Sequence, residues 1–239
     1  MHLQGRTAVV TGGTRGLGLD VARALAGAGA TVVVAAREVP DEPPGDGITA
    51  VKADVTVPDA MPALLRTVHE RYGGPHIVVA NAGISRPGPV ASLSPDDWHD
   101  VIDTNVHGVF HTVRAALPHV GAEPGGRIIV MSSLLGSRAM PGAAAYSASK
   151  AAVEALVRVC ALEVAASGTT VNAVAPGYID AGMGSALLTH ERLGPVVAAS
   201  LAAGRPGVAA EVSAAVLFLA SGAASYVNGQ VLGVDGGVR

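Results

Sequence analysis

The chain has 239 residues, enough to bury a sizeable core in one large domain or in two small ones. Hydrophobic residues make up 49% and charged residues 15%, which indicates a globular protein and argues against disorder. The net charge is −3 without a basic run, so neither nucleic acid nor an anionic membrane is an expected partner. The lone Cys160 cannot form an internal disulfide, no targeting pattern begins the chain, and no apolar run reaches the ~18 residues of a membrane span. We therefore expect a cytoplasmic protein.

Short apolar runs rich in β-branched residues alternate with helical patterns. The runs read as strands covered on both faces: residues 7–10, 31–35, 49–52, 76–80, 127–131, 170–175 and 230–234. This alternation predicts a doubly wound α/β fold, with a seven-stranded parallel sheet and helices on both faces. Neither a linker nor a repeat divides the chain, so we expect one domain over residues 1–239.

The helical patterns have recognisable starts and faces. Residues 17–28 form one apolar stripe, made of Leu17, Val21, Leu25 and Ala28. Thr56, with an acid three residues later, and Ser94, followed directly by proline, both look like capped helix starts. Two long helices are predicted over residues 95–117 and 146–165.

A glycine-rich turn, AVVTGGTRGLG, links the first strand to the first helix at residues 8–18. Its Gly12, Gly16 and Gly18 let the backbone approach a ligand closely, and the free N–H groups of the helix that follows favour an anion. This position, at the first strand–helix crossing, favours a bound phosphate over a tight turn without a ligand. The turn is not a P-loop, because no Gly-Lys-Ser/Thr follows.

The stretch AAYSASKAA, residues 144–152, sets Tyr146 four residues before Lys150. Side chains at this spacing share a helix face. A phenol with a pKa near 10 is a poor acid or base at pH 7. An ammonium at ~5 Å, in an effective dielectric of ~20, favours the phenolate by roughly 3 kcal/mol, or about two pK units. We therefore expect a lowered pKa for Tyr146 and a role in proton transfer.

These motifs, with others, resemble the short-chain dehydrogenase/reductase family. TGGTRGLG, NAG at 81–83 and YSASK match the family in order and spacing, as does a proline–glycine pair at 176–177. Ser133 stands 13 residues before the tyrosine, and Asn105 lies in the preceding long helix. The resemblance runs from about residue 5 to residue 237, and it implies a Rossmann fold with a nicotinamide cofactor.

The resemblance implies four catalytic residues. Tyr146 would donate a proton to a substrate carbonyl in reduction and accept one in oxidation. Lys150 would lower the pKa of that tyrosine and bind the nicotinamide ribose. Ser133, rather than the neighbouring Ser132, would hold the substrate oxygen. Asn105 would bind a water near the lysine and extend a proton relay to solvent.

The resemblance also implies the contacts of the cofactor. Asp54 would accept a hydrogen bond from the adenine amino group, and residues 81–83 would border the adenosine ribose and the nicotinamide. The family often has threonine where this chain has Ala181, which removes one expected contact to the carboxamide. The full expected set is Gly12, Thr14, Arg15, Gly16, Leu17, Gly18, Arg37, Asp54, Val55, Asn81, Ala82, Gly83, Tyr146, Lys150, Pro176, Gly177 and Ile179.

The end of the second strand favours NADP(H) over NAD(H). NAD-specific folds usually place an acid there to hold both ribose hydroxyls, whereas this chain has Ala36 and then Arg37. Arg15, in the glycine-rich turn, is a second cation that could reach a 2′-phosphate. Glu38 is the alternative, because its carboxylate could take the role of the missing acid.

We expect no metal site. His107 and His111 stand four residues apart on a helix, a spacing that a metal could use. No carboxylate or third ligand follows nearby, so two histidines on a helix face are the favoured interpretation.

The leading hypothesis is an NADP(H)-dependent carbonyl reductase or secondary-alcohol dehydrogenase. Residues 178–206 resemble the family's substrate lid. An apolar or mixed small-molecule substrate is expected from the candidate walls of its pocket, which are Leu134, Met140, Tyr178, Met183, Leu187 and Leu188.

Two alternatives stay open. A 3-oxoacyl-[acyl-carrier-protein] reductase is favoured by the general pattern and by LAAGRPGVAAEV at residues 201–212. An acidic carrier protein would want a basic mouth, which GAEPGG at 121–126 and AASG at 165–168 do not provide. The other alternative is a catalytically idle NADP-binding regulator, since fold does not decide function. The intact catalytic set argues against it.

The resemblance also implies a homotetramer, or else a homodimer. Family members commonly pair the two long helices, here 95–117 and 146–165. The second helix carries small and apolar residues that something must cover: Ala151, Ala152, Ala155, Val159 and Leu162.

Overall fold

A computed structural model describes residues 1–120, 125–191 and 193–238, apart from the side chains of Met183, Ala186 and Leu193. The strands are β1 Thr7–Thr11, β2 Thr31–Ala36, β3 Ile48–Lys52, β4 Ile77–Ala80, β5 Arg127–Met131, β6 Thr170–Pro176 and β7 Val231–Val234. They form one parallel sheet in the order β3-β2-β1-β4-β5-β6-β7. The predicted α/β fold with a seven-stranded parallel sheet is confirmed.

Helices cover both faces of this sheet. Successive strand residues point to opposite faces, and because both sets of side chains are apolar, each face needs helices to shield it from water. The helices are α1 Gly16–Gly27, α2 Ala60–Tyr72, α3 Pro95–Ile102, α4 Gly108–Val120, α5 Ala144–Val164, α6 Met183–Leu188, α7 Leu193–Ser200 and α8 Ala209–Ala220. Val9 belongs to a core shared with the helices α2, α4 and α5, whereas Val10 belongs to a second core shared with α1 and α8.

The strand order reverses between β1 and β4. The chain runs outward from β1 to β3, returns to β4 beside β1, and then runs outward the other way to β7. Ligands of open α/β sheets bind in the crevice at such a reversal, outside the carboxyl ends of the strands. The glycine-rich turn follows β1, and Asn81 follows β4, so both lie at this crevice.

The first predicted long helix is not uniform. A π-helical segment, Asp103–His107, separates α3 from α4, and α4 continues to Val120. The predicted cap at Ser94 is confirmed, since its hydroxyl accepts a hydrogen bond from Asp97 N. The predicted start at Thr56 is wrong, because α2 begins at Ala60 and Asp54 Oδ1 binds both the amide and the hydroxyl of Thr56.

Among the residues that the structure describes, no helix is long and apolar enough to cross a membrane. The cytoplasmic location stays a prediction. Residues 178–206 contain α6 and α7 and lead from β6 toward α8. At Gly182 this segment passes over the glycine-rich turn, where a Cβ added to Gly16 would lie 3.6 Å from Gly182 Cα. The single domain and the lid stay predictions.

Candidate active site

The four expected catalytic residues occupy the carboxyl side of the central strands. Ser133 lies just beyond β5, and Tyr146 and Lys150 lie in the first two turns of α5. Asn105 lies in the π-helical segment and reaches Ser149 on α5. The structure therefore gathers residues that are up to 45 positions apart in the sequence at one edge of the sheet.

Lys150 is buried, and its position is fixed by the strand beneath it. Its Nζ donates a hydrogen bond to the carbonyl of Met131, the last residue of β5, at 2.8 Å. The same Nζ lies 5.4 Å from the centroid of the Tyr146 ring. Burial lowers the pKa of Lys150 from its ordinary value of 10.5 to about 8, so the ammonium still predominates at pH 7.

The expected lowering of the Tyr146 pKa is wrong for the protein chain on its own. Burial raises the pKa of Tyr146, and a hydrogen bond with Ser133 offsets only part of that effect. Desolvation of the phenolate is the larger of these two effects, and the Lys150 ammonium nearby is itself tied to the Met131 carbonyl. Tyr146 is thus a protonated phenol at neutral pH, the form that donates a proton.

Contacts distinguish the two neighbouring serines. Ser132 Oγ donates a hydrogen bond to Glu154 Oε1 at 2.7 Å, so this hydroxyl is committed to a buried carboxylate. Ser133 Oγ accepts a hydrogen bond from Leu135 N and lies within hydrogen-bonding reach of Tyr146. Ser133 is therefore the serine that can meet a substrate oxygen beside the tyrosine.

Asn105 is fully buried, and its side chain is satisfied by protein groups. Its Oδ1 accepts from Ile84 N at 2.8 Å, and its Nδ2 donates to Ile84 O and to Ser149 Oγ. The amide thereby ties the end of the NAG segment to α5. The predicted water beside Lys150 stays a prediction, and the observed contacts give Asn105 a bridging role that the sequence did not indicate.

The glycine-rich turn fits a dinucleotide phosphate. A Cβ added at Gly18 would overlap the Gly12 carbonyl and Asn81 Nδ2, so the backbone can pack this tightly only without a side chain. Gly12 and Gly16 have φ of 64° and 54°, which glycine adopts readily. No side chain caps α1 and its first turn has no acid, so its N–H groups are available to an anion.

Three other residues expected to contact the cofactor, Asn81, Gly83 and Asp54, differ in their surroundings. Asn81 Nδ2 donates to Thr11 O and Gly12 O, so its side chain braces the turn and only its remaining atoms can face a ligand. Gly83 lies against Asn105 and Lys150, where a Cβ would be 3.6 Å from Nζ. On the other side of the crevice, Asp54 holds the loop after β3 through its two bonds to Thr56.

His111 is a residue that the sequence did not assign to the cofactor site. Its Nδ1 lies 2.9 Å from the carbonyl of Val55, so this ring nitrogen must carry the proton and donate it. Val55 is buried against Gly108, which has no Cβ to displace it. Helix α4 therefore holds the loop that carries Asp54.

The two arginines expected at the ribose are exposed. Neither Arg15 nor Arg37 has a hydrogen-bond or ion-pair partner among the residues described, and Glu38, which follows Arg37 in the chain, is also exposed. Of the residues expected at the nicotinamide, Gly177 packs against Asp235, and Ile179 is buried in the second core. Ala181 packs against the same core and offers no hydroxyl.

Part of the predicted substrate wall is present as one apolar cluster around Tyr146. Of the predicted residues, it contains Leu134, Met140 and Tyr178, whose hydroxyl lies 4.0 Å from Met140 Sδ. Leu187 and Leu188 lie outside this cluster, and the Met183 side chain lies outside the described residues. The sequence reading missed further members, brought in by the chain end, the lid and the segment before α5: Leu135, Ala143, Leu201 and Val238.

The two histidines considered for a metal, His107 and His111, bind different protein groups. His107 Nδ1 lies 2.9 Å from Asp103 Oδ1, whereas His111 faces the Val55 carbonyl. In the described part of the chain, no three His, Cys, Asp or Glu side chains come together as a metal site would need.

Known proteins resemble this chain along its whole length. A family model described as Enoyl-(Acyl carrier protein) reductase matches residues 12–239. The 3-oxoacyl-[acyl-carrier-protein] reductase FabG of Vibrio cholerae is 37% identical over 243 residues, covering 100% of this chain and 99% of that protein.

Solved structures agree. A gluconate 5-dehydrogenase from Burkholderia cenocepacia, in complex with NADP and tartrate, has a TM-score of 0.93 and 36% identity. The alignment covers 99% of this chain and 96% of that one. The aldohexose dehydrogenase of Thermoplasma acidophilum has a TM-score of 0.88 and 31% identity, with 98% and 94% covered.

The motifs, the sheet order and these full-length similarities agree with one another. Because the similar proteins are oxidoreductases, the alternative of a catalytically idle regulator is set aside. The chain belongs to the short-chain dehydrogenase/reductase family and is an NAD(P)-dependent oxidoreductase that acts on an alcohol or on the corresponding ketone.

Proposed function

We propose that this enzyme reduces a ketone to a secondary alcohol with NADPH, and that Ser133, Tyr146 and Lys150 carry the catalysis. The observation behind this proposal is the meeting of these three side chains at the carboxyl edge of the sheet. Ser133 lies within hydrogen-bonding reach of Tyr146, and Lys150 Nζ lies 5.4 Å from the centroid of the Tyr146 ring. A protonated phenol next to a serine hydroxyl suits a carbonyl oxygen that gains negative charge.

In this proposal each residue has a separate task. Ser133 and Tyr146 both donate hydrogen bonds to the substrate carbonyl oxygen and so orient it. The bound cofactor supplies the hydride. Tyr146 then gives its proton to the oxygen, and the Lys150 ammonium, held by the Met131 carbonyl, stabilises the phenolate that is left. Gly83 leaves room above Lys150 for the cofactor ribose.

The cofactor is NADP(H). Arg15 and Arg37 are exposed at the ends of the two elements that border the adenosine ribose, and no acid follows β2 directly. An arginine–phosphate contact is charge-assisted and contributes about 1.5–3 kcal/mol. The similar gluconate 5-dehydrogenase was solved with NADP, which supports the same choice here.

The substrate is a small molecule with an apolar or mixed surface. The cluster of Leu134, Met140 and Tyr178 borders Tyr146, so apolar groups of a substrate have matching surface there. Residues 178–206 form its lid, with Gly182 as the point where the lid crosses the glycine-rich turn.

A 3-oxoacyl-[acyl-carrier-protein] reductase is the second candidate, because the curated relatives of that name match over the full chain. The argument from uncharged loops does not apply. Residues 121–124 lie outside the described residues, and residues 125–126 and 165–168 precede β5 and β6. Residues 125–126 and 165–168 therefore lie at the amino edge of the sheet, opposite the proposed catalytic residues of the same chain.

The enzyme works as a homo-oligomer, a homotetramer or else a homodimer. The helices α4 and α5 expose large apolar side chains: Phe110 is 44% exposed, Val159 53% and Leu162 82%. A second copy of the chain would cover them. Light scattering at micromolar concentration should therefore give a multiple of the 23.7 kDa chain mass, and a monomer mass would contradict this proposal.

A substrate panel tests the function. Loss of NADPH absorbance is followed with free ketones, with ethyl acetoacetate as a small 3-oxoester, and with a 3-oxoacyl thioester on acyl carrier protein. We expect turnover of the free compounds, with kcat/KM higher for NADPH than for NADH. A rate that appears only with the carrier-bound thioester selects the second candidate, and no oxidation of NADPH by any carbonyl contradicts both.

A further inference from the structure

Glu154 is a buried carboxylate for which the proposed reaction has no use. It lies on α5 one turn after Lys150, and only 5% of the residue is exposed. Burying a carboxylate is costly unless hydrogen bonds or an opposite charge compensate it. Its surroundings therefore show what the carboxylate is there to hold.

The contacts of Glu154 lie in the loop after β5. Ser132 Oγ donates to Oε1 at 2.7 Å, and a Cβ added at Gly136 would overlap that same oxygen. The other oxygen, Oε2, lies 3.6 Å from Arg158 Nη2 on the next turn of α5, which is largely exposed. The loop of residues 132–136 therefore contacts the Glu154 carboxylate at both ends, through the hydrogen bond of Ser132 and the close packing of Gly136. The exposed Arg158 balances the charge of this carboxylate.

That loop is the one that carries Ser133. Ser132 is its direct neighbour, and Leu135 N, in the same loop, donates to Ser133 Oγ. Tyr146 and Lys150 stand eight and four residues before Glu154 on the same helix. Glu154 therefore connects the element that bears Ser133 to the element that bears the tyrosine and the lysine.

We propose that Glu154 is a positioning residue that fixes the place of Ser133 relative to Tyr146 through its hydrogen bond with Ser132. This inference rests on the catalytic roles proposed above for Ser133 and Tyr146. Small displacements of a group that orients a substrate can cost up to about 100-fold in rate. The effect of Glu154 must therefore pass through Ser133.

A double-mutant cycle tests that dependence. The variants Glu154→Ala, Ser133→Ala and the double variant are compared with the wild type, with ethyl acetoacetate and NADPH as the probe. Glu154→Gln keeps an oxygen that can accept from Ser132 and is the conservative variant. Glu163→Gln removes an exposed carboxylate of the same helix and is the matched control.

We expect Glu154→Ala to lower kcat about 10-fold to 100-fold in the wild type but less than about threefold in the Ser133→Ala background. Glu154→Gln should restore most of the rate, Glu163→Gln should change nothing, and the Kd of NADPH should stay constant throughout. An equal loss in both backgrounds, or no loss at all, overturns the proposal. If Glu154→Ala does not fold, Ser132→Ala replaces it in the cycle, because it removes the same hydrogen bond.

Hydrogen–deuterium exchange separates failure of this inference from failure of the proposed function. Exchange of residues 132–136 should be faster in Glu154→Ala, or in Ser132→Ala, and unchanged in Glu163→Gln. A wild type that reduces no carbonyl contradicts the proposed function. Unchanged exchange in that loop overturns the role of Glu154 whatever the activity is.

Discussion

The turn between β1 and α1 depends on glycines, which leave its backbone accessible. The loop after β5 and the start of α5 depend instead on polar side chains that hydrogen bonds hold in fixed positions. In the proposed cofactor site, Gly18 packs against Gly12 and Asn81, and no side chain caps the amino end of α1. In the proposed catalytic site, Ser132, Asn105 and Lys150 are buried polar groups that each have a protein partner.

This contrast follows from what each region must do. A phosphate needs backbone N–H groups and close approach, which glycine provides. A proton donor needs a fixed position and an altered electrostatic environment, which buried hydrogen bonds provide. Substitutions in the two regions should therefore separate cofactor binding from turnover.

The largest effect is expected for Tyr146→Phe, which keeps the ring and removes the proton donor. We expect kcat to fall by about 10² to 10⁴-fold, with little change in NADPH binding. Steady-state rates and a fluorescence titration of NADPH measure the two quantities. A variant that keeps a tenth of the wild-type rate removes Tyr146 from the reaction.

Gly18→Ala should act in the opposite way. Its new Cβ would overlap the Gly12 carbonyl and Asn81 Nδ2, which displaces the turn, so we expect NADPH binding to weaken about 100-fold. Gly27→Ala is the control, because Gly27 lies in the same helix and a Cβ there meets nothing within 4 Å. Equal affinities for the two variants would contradict the close packing of the turn.

Arg37→Ala should lower the preference for NADPH over NADH by roughly 10-fold to 100-fold, since one charge-assisted phosphate contact is lost. The ratio of kcat/KM for the two cofactors measures it. Arg66→Ala, at an exposed position on α2, should leave the ratio unchanged. An unchanged ratio for Arg37→Ala would assign the 2′-phosphate to other groups.

The pH dependence of reduction should follow Lys150. Because its pKa is lowered to about 8, the ammonium is present below that pH and is lost above it. We expect kcat/KM for ketone reduction to be level below pH 8 and to fall about tenfold per pH unit above it. Lys150→Arg stays charged throughout, so its profile, although lower, should lack this fall. A wild-type profile that is flat to pH 10 would contradict the prediction.

The smallest effect is expected for His111→Ala, which frees the Val55 carbonyl and loosens the loop that carries Asp54. Loss of one neutral hydrogen bond corresponds to about a fivefold weaker Kd for NADPH. His107→Ala, which removes an exposed ring paired with Asp103, is the control. The loss should disappear with a cofactor analogue whose adenine amino group is replaced by oxygen. A loss of the same size with that analogue would show that His111 does not act on cofactor binding through Asp54.

The sheet could be predicted from sequence because its strands are local signals. A strand buried on both faces is a continuous apolar run, and the predicted 127–131 agrees with Arg127–Met131 at both ends. The pairing of Tyr146 with Lys150 was equally accessible, because it depends only on helical spacing.

What could not be predicted depends on partners that are distant in sequence. The π-helical segment accompanies the contact of Asn105 with Ile84, which is 21 residues away. The raised pKa of Tyr146 comes from burial by several elements, and no spacing reports it. Glu154 looks like an ordinary surface charge in a helical pattern until Ser132, 22 residues away, is placed against it.

Transfer of deuterium tests the central claim most directly. The enzyme is incubated with ethyl acetoacetate and with NADPH deuterated at C4 of the nicotinamide, in each of the two stereoisomeric forms. Mass spectrometry should find one deuterium on the carbinol carbon of the 3-hydroxyester from one of the two forms. With Tyr146→Phe it should find at most about a hundredth as much deuterated product over the same time. A wild-type product that carries no deuterium from either form, although NADPH is bound, would contradict the account.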